Sequence, residues 1–151
     1  MPFTYEYPHP AVATDIAVFT LRRGGLNVLL IERGADPYKG AWALPGGFLQ
    51  PDEELDACAL RELREETGVE AELIGFVAPV EAIERDRQGR VRLHIVIAAH
   101  AARWVSGEPQ TGPEARDIRW VSEDEIDTLP TTPGLPGLLR RAFALARDSG
   151  A

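Results

Sequence analysis

Between Gly47 and Val69 the chain commits to one local structure. Gly47 is followed after five residues by Glu53, and after seven more by Arg61-Glu62-Leu63. Glu65-Glu66-Thr67-Gly68-Val69 comes next. An α-helix advances about 100° per residue, so Glu65 stands about 60° to one side of Glu62 and Glu66 about 40° to the other. Three carboxylates in an arc of about 100° repel one another. A hard divalent cation that takes oxygen ligands, Mg²⁺ or Mn²⁺, would relieve that repulsion. The spacing predicts a tight loop feeding a helix from about Glu54 to Thr67. Its apolar face is Leu55, Cys58, Ala59 and Leu63, and Gly68 is placed to end it in the left-handed conformation.

The flanking sequence supplies strands. Ala11 to Leu21 and Leu26 to Glu32 are β-branched runs separated by Arg22-Arg23-Gly24-Gly25, which predicts a hairpin. Trp42 to Gly47 reads as a short extended run into a glycine turn. Ala71 to Ile83 reads as a strand that Pro79 could break, and Val91 to Ala101 as another, with Leu93, Ile95 and Ile97 on one face. Asp117 to Ser122 reads as a short strand. Glu123 to Thr128 reads as a short helix capped by Ser122. Pro133 to Arg147 is the last helix, with a stripe of Leu135, Leu138, Leu139, Ala142, Leu145 and Ala146. Strands with one early and one late helix predict an α/β fold, a mixed sheet between helices. Residues 1–10, rich in proline and aromatics, read as an extended lead-in to one domain covering 1–151.

Charge narrows the partners. The net charge is −8. Asp52, Glu53, Glu54, Asp56, Glu62, Glu65 and Glu66 outweigh Arg61 and Arg64 within the stretch that opens this section. Such a balance argues against a DNA or RNA polymer as partner. A small anionic substrate remains compatible, because a bound cation inverts the local field. No run approaches 18 apolar residues, so no membrane partner is expected. The N-terminus lacks the basic and apolar regions of a secretory signal, which makes the cytoplasm the expected location. Cys58 is alone and reads as a core residue. His94, His100, Trp42 and Trp120 read as structural, and Tyr5, Tyr7 and Tyr38 read as packing residues rather than base-stacking platforms.

The stretch from Gly47 to Val69 resembles the Nudix box. Gly47, Glu53, Arg61, Glu62, Leu63, Glu65, Glu66, Gly68 and Val69 fill every fixed position of that pattern. Seven of these are fixed identities, and their joint occurrence by chance is roughly one in a million. The resemblance implies a Nudix fold, an α/β/α sandwich with the box helix beside the sheet. It implies Mg²⁺- or Mn²⁺-dependent hydrolysis of the pyrophosphate in a nucleoside diphosphate linked to another group. In that reading Glu62, Glu65 and Glu66 are metal ligands, with Glu66 also a candidate base. Glu53 is a further ligand or orienting group, and Arg61 orients by ion pairing. Gly46 and Gly47 let the backbone approach phosphate or metal closely.

Arg33-Gly-Ala-Asp-Pro-Tyr-Lys-Gly-Ala-Trp-Ala-Leu-Pro-Gly-Gly-Phe48 resembles the ADP-ribose pyrophosphatase branch, as do Tyr7-Pro-His-Pro-Ala11 and the turn holding Arg85-Asp86 and Gly89-Arg90-Val91. Arg33 and Arg85 are accordingly candidate substrate contacts. So is Glu114, a carboxylate outside the box, for which Glu108 competes. Dimers are common in that branch, so a homodimer is compatible with this chain. The same front half occurs in Nudix-related transcriptional regulators that carry a C-terminal DNA-binding domain, for which 151 residues leave no room. The leading substrate is ADP-ribose or a related nucleotide sugar. The alternatives are a nucleoside triphosphate pyrophosphohydrolase and a catalytically silent nucleotide sensor.

Overall fold

The computed structural model describes residues 5–151. The first four residues of the expected lead-in lie outside the described residues, and residues 5–10 precede the first strand without regular structure. The elements in order are β1 (Ala11–Arg22), β2 (Gly25–Arg33), β3 (Trp42–Ala43), β4 (Gly46–Phe48), α1 (Leu55–Thr67), β5 (Glu70–Arg85), β6 (Val91–Ser106), β7 (Ala115–Ser122), a 3₁₀ helix (Glu123–Thr128) and α2 (Leu135–Asp148). The strands form one seven-stranded sheet with the path β3-β2-β1-β6-β5. On it, β4 pairs with β1 and β7 with β2. The β1–β6 pair is parallel and the others are antiparallel, so the sheet is mixed.

Strand alternation sends β1 into two cores. Ile16 and Val18 pack with Ala59 and Leu63 of α1, while Ala17 and Phe19 pack with Leu139, Ala142 and Phe143 of α2. The two helices therefore cover opposite faces, which is the expected α/β/α sandwich. Each fully buried Leu, Ile or Phe in these layers contributes about 1.5–3 kcal/mol of transfer free energy. No helix among the described residues is long and apolar enough to cross a membrane.

Several expectations are corrected. β5 is not interrupted at Pro79; it runs on to Arg85 with Pro79 opposite Ala98. It lies at the sheet edge, where a residue without an N–H costs no ladder bond on the outer side. Register shifts between Leu73 and Gly75 and between Phe76 and Ala78 bend the strand instead. β6 extends five residues past Ala101 to Ser106, because β5 supplies partners as far as Glu70. On α1, Cys58, Ala59 and Leu63 are buried but Leu55, the first helical residue, is exposed. On α2 the buried set includes Phe143, absent from the expected stripe; its ring meets Phe19 edge-on at 4.8 Å.

Candidate functional site

The site is the place where α1 faces β4. The short strand β4 is held antiparallel to β1, with Thr14 opposite Gly47 and Asp15 opposite Gly46. Cys58, one turn into α1, accepts a hydrogen bond from the Thr14 hydroxyl at 3.2 Å and so fixes the helix against the same strand. At the other end Gly68 closes the helix at φ 75°, its N–H donating to the Arg64 carbonyl at 2.9 Å. The loop after β6 then straps the end of α1. The Gln110 N–H donates to the Thr67 carbonyl at 2.9 Å, and Gly112 lies against the Glu66 backbone.

The four-residue spacing sorts the charged groups of α1 into two columns. Glu62 and Glu66 form the column that faces β4. Glu62 fills the space where a side chain at Gly47 would lie: a Cβ there would stand 2.5 Å from its Oε2. Glu66 Oε2 accepts from the Gly46 N–H at 3.3 Å. Two glycines in succession are thus required: a side chain at Gly47 would strike the Glu62 carboxylate, and one at Gly46 would strike the Thr14 carbonyl and Asp15. Arg61 and Glu65 form the second column. Arg61 donates to Glu53 at 2.6 Å through Nε and 3.0 Å through Nη2, to Glu62 at 2.9 Å, and to Glu65 at 3.0 Å. Its Nη2 also reaches the Phe48 carbonyl at 3.3 Å. Arg61 is therefore the hub that orients Glu53 and Glu62, while Glu65 stays largely exposed on its outer side.

Electrostatics separate the carboxylates further. The Arg61 bonds hold Glu53 down at about 2, within the range of a permanently ionised acid. Glu66 is pushed up to about 7. Burial is the main cause, and the charges of Glu62, Glu114 and Asp15 add to it against the opposing Gly46 N–H. Asp15 is also pushed up to about 7 by burial, against the charge of Arg33 beside it. Glu66 thus stands amid acids, and Glu114 is one of them. Glu108 instead borders a small groove between Trp104 and Trp120.

Most of the expected site residues come together. Gly46, Glu53, Arg61, Glu62 and Glu66 form one contiguous cluster, with Glu114 at its edge and Arg33 reached through Asp15. Arg85 does not join it. Its strand runs on past the start of β1, and it sits opposite Val91, while Asp15 sits opposite Ala99 of the same strand β6. That is about 25 Å along β6 at ~3.3 Å per residue, and the Arg85 guanidinium binds the Gly89 carbonyl at 3.1 Å. Sequence reasoning missed Asp15 altogether. The available signal was an acid in the middle of a strand otherwise fit for burial.

The donor set fits a hard divalent cation: it is all oxygen, mutually repelling and partly withdrawn from water. Among the described residues no three acidic side chains yet converge closely enough to share one ion, as Glu65 is turned to Arg61. The sequence matches the NUDIX domain over residues 10–142. The chain belongs to the NUDIX family. It is 43% identical over 141 residues to an ADPR responsive transcriptional repressor, NtrR, from Acinetobacter baylyi, covering 92% of this chain and 55% of that protein. It is 30% identical over 124 residues to an ADP-ribose pyrophosphatase from Methanocaldococcus jannaschii, covering 82% of this chain and 67% of that one. This NUDIX chain thus spans about half to two thirds of the length of these relatives. Its fold also matches the NUDIX domain of Shewanella oneidensis NrtR, solved in complex with ADP ribose. That match has a TM-score of 0.70 and 26% identity, over 96% of this chain and 91% of that one.

Proposed function

We propose that this NUDIX chain hydrolyses the pyrophosphate bond of a nucleoside diphosphate linked to another group, with ADP-ribose the leading substrate and Mg²⁺ or Mn²⁺ required. The observation that carries the reading is the Glu62–Glu66 column pressed against Gly46 and Gly47. The relatives named for ADP-ribose support the substrate. Glu62, Glu65 and Glu66, with the Gly46 carbonyl, would hold the cation. When bound, it neutralises charge on the phosphate oxygens and acidifies a coordinated water. Arg61 orients Glu62 and Glu53 and holds Glu53 ionised. Glu66, beside the Gly46 amide, is also the carboxylate that takes the proton of the attacking water. Arg33 and Glu114, at the rim, orient the substrate. Arg85 lies outside this reading for a single chain.

The test is incubation of the protein with ADP-ribose and Mg²⁺, with AMP quantified by chromatography and EDTA as control. Wild type should release AMP, and Glu66→Gln should do so at least about a hundredfold more slowly. A second reading, a sensor that binds ADP-ribose without cleaving it, is favoured by the 43% identity to a repressor that responds to ADPR. Tight binding without AMP release would select the sensor. Absence of both would remove ADP-ribose from consideration.

A further inference from the structure

Asp15 lies outside the box, on a different strand, and yet belongs to the same few ångströms of space. Its register partner is Gly46, the residue whose N–H meets Glu66. A Cβ built on Gly46 would stand 3.0 Å from the Asp15 α-carbon and overlap the Asp15 carboxylate outright. The Asp15 carboxylate therefore lies over the Gly46 backbone, with Glu66 at the amide of the same residue. Asp15 and Glu66 repel each other enough for Asp15 to be among the charges that raise Glu66. The cationic group beside Asp15 is Arg33. Burying a carboxylate next to another carboxylate costs free energy. By strand alternation Asp15 shares its face with Ala17 and Phe19, which pack on the α2 side, while Ile16 and Val18 fill the core beneath α1.

We propose that Asp15 is a positioning residue of the cation site, a carboxylate from β1 that brackets Gly46 opposite Glu66 and strengthens divalent-cation binding there. The proposal rests on the cation-dependent reading above. Asp15 adds negative potential where Glu62 and Glu66 converge, and holds the Gly46 peptide between two acids so that its carbonyl stays fixed for the ion. Without an ion, the Arg33 charge is the counterweight to Asp15. Charged partners just outside the ligands of a metal typically change its affinity by about 10–100-fold when removed.

The experiment measures Mn²⁺ binding to the full metal-free chain by electron paramagnetic resonance of free Mn²⁺, with no substrate and no turnover. Wild type, Asp15→Asn and Glu66→Gln are compared, with thermal midpoints recorded in EDTA. Asp15→Asn should weaken Mn²⁺ binding by about tenfold or more while keeping or raising the midpoint in EDTA, because the amide carries no charge for burial to penalise. Wild-type Mn²⁺ affinity in Asp15→Asn overturns the proposal, as does a loss of affinity that appears only with a lowered midpoint. If Glu66→Gln loses Mn²⁺ and Asp15→Asn does not, this inference alone fails. If wild type binds no Mn²⁺, the cation-dependent reading fails with it.

Discussion

Replacing the two box glycines one at a time separates the carboxylate column from the strand beneath it. In Gly47→Ala the new Cβ would lie 2.5 Å from Glu62 Oε2, so the Glu62 carboxylate must swing away. It can do so, because it is the far end of a flexible side chain. The move breaks the Arg61–Glu62 pair at 2.9 Å, in which both side chains are 16% exposed. A charge-assisted bond of this kind is worth about 1.5–3 kcal/mol. Gly47 does not sit at positive φ, so alanine recovers about 0.4–1 kcal/mol through the unfolded chain. The expected net loss is about 1–2 kcal/mol, or about 2–8 °C in Tm for a chain of this size. In Gly46→Ala the Cβ instead meets the Thr14 carbonyl and the Asp15 carboxylate and backbone. Backbone cannot rotate out of the way, so β4 must part from β1. Overpacking of that kind costs about 1–3 kcal/mol or more. Urea unfolding in EDTA measures both, and Mn²⁺ titration in parallel should show each variant weakened by at least about tenfold. If Gly47→Ala is as stable as wild type and binds Mn²⁺ normally, Glu62 is not held where the structure places it. If Gly46→Ala is the milder variant, the β1–β4 register is wrong.

The remaining expectations can be checked with the same material. In EDTA, Asp15 and Glu66, with folded values near 7 against ordinary values of 3.8 and 4.5, hold protons that the unfolded chain has released. Their contribution to stability is fully present below about pH 4 and is lost as pH rises to about 7. The thermal midpoint should therefore fall between about pH 5 and 7.5, and Asp15→Asn should flatten that slope; a midpoint rising across the window refutes the assignment. Glu53, held at about 2 by Arg61, has the opposite sign. Its stabilisation is present above about pH 4.5 and lost on acidification, so Arg61→Ala should move acid unfolding to higher pH, read by circular dichroism. Phe143→Ala should cost about 3–5 kcal/mol by urea unfolding, because the ring is 1% exposed against Phe19. A cost under about 1 kcal/mol would mean that α2 does not seal this face.

The parts of the site carried by near neighbours along the chain are legible in the sequence. Helix α1, its end at Gly68 and its row of acids depend on contacts within four residues, so period and a terminal glycine suffice to place them. Arg61 as an orienting group is legible for the same reason, since Glu65 and Glu62 lie within its reach along one helix. Phe143 is within reach of the same reasoning, as it continues the series Leu135, Leu139, Phe143 at one-turn spacing. What periodicity cannot supply is pairing between strands far apart in sequence. The continuation of β5 through Pro79 depends on its being an edge strand, and the extra length of β6 on how far β5 runs beside it.

By itself, then, the sequence determined the family, the box helix and the row of acids on it, because these are written in a local period and in fixed identities. The tertiary structure decided which acids act together. It sorted Glu62 and Glu66 toward Gly46 and Gly47 and left Glu65 with Arg61. It also brought in Asp15 and Glu114 and left Arg85 at a distant hairpin. The physical reason is range. A helix fixes neighbours within a turn, whereas a carboxylate's charge acts on whatever the sheet places beside it, and sheet register joins residues that lie far apart along the chain.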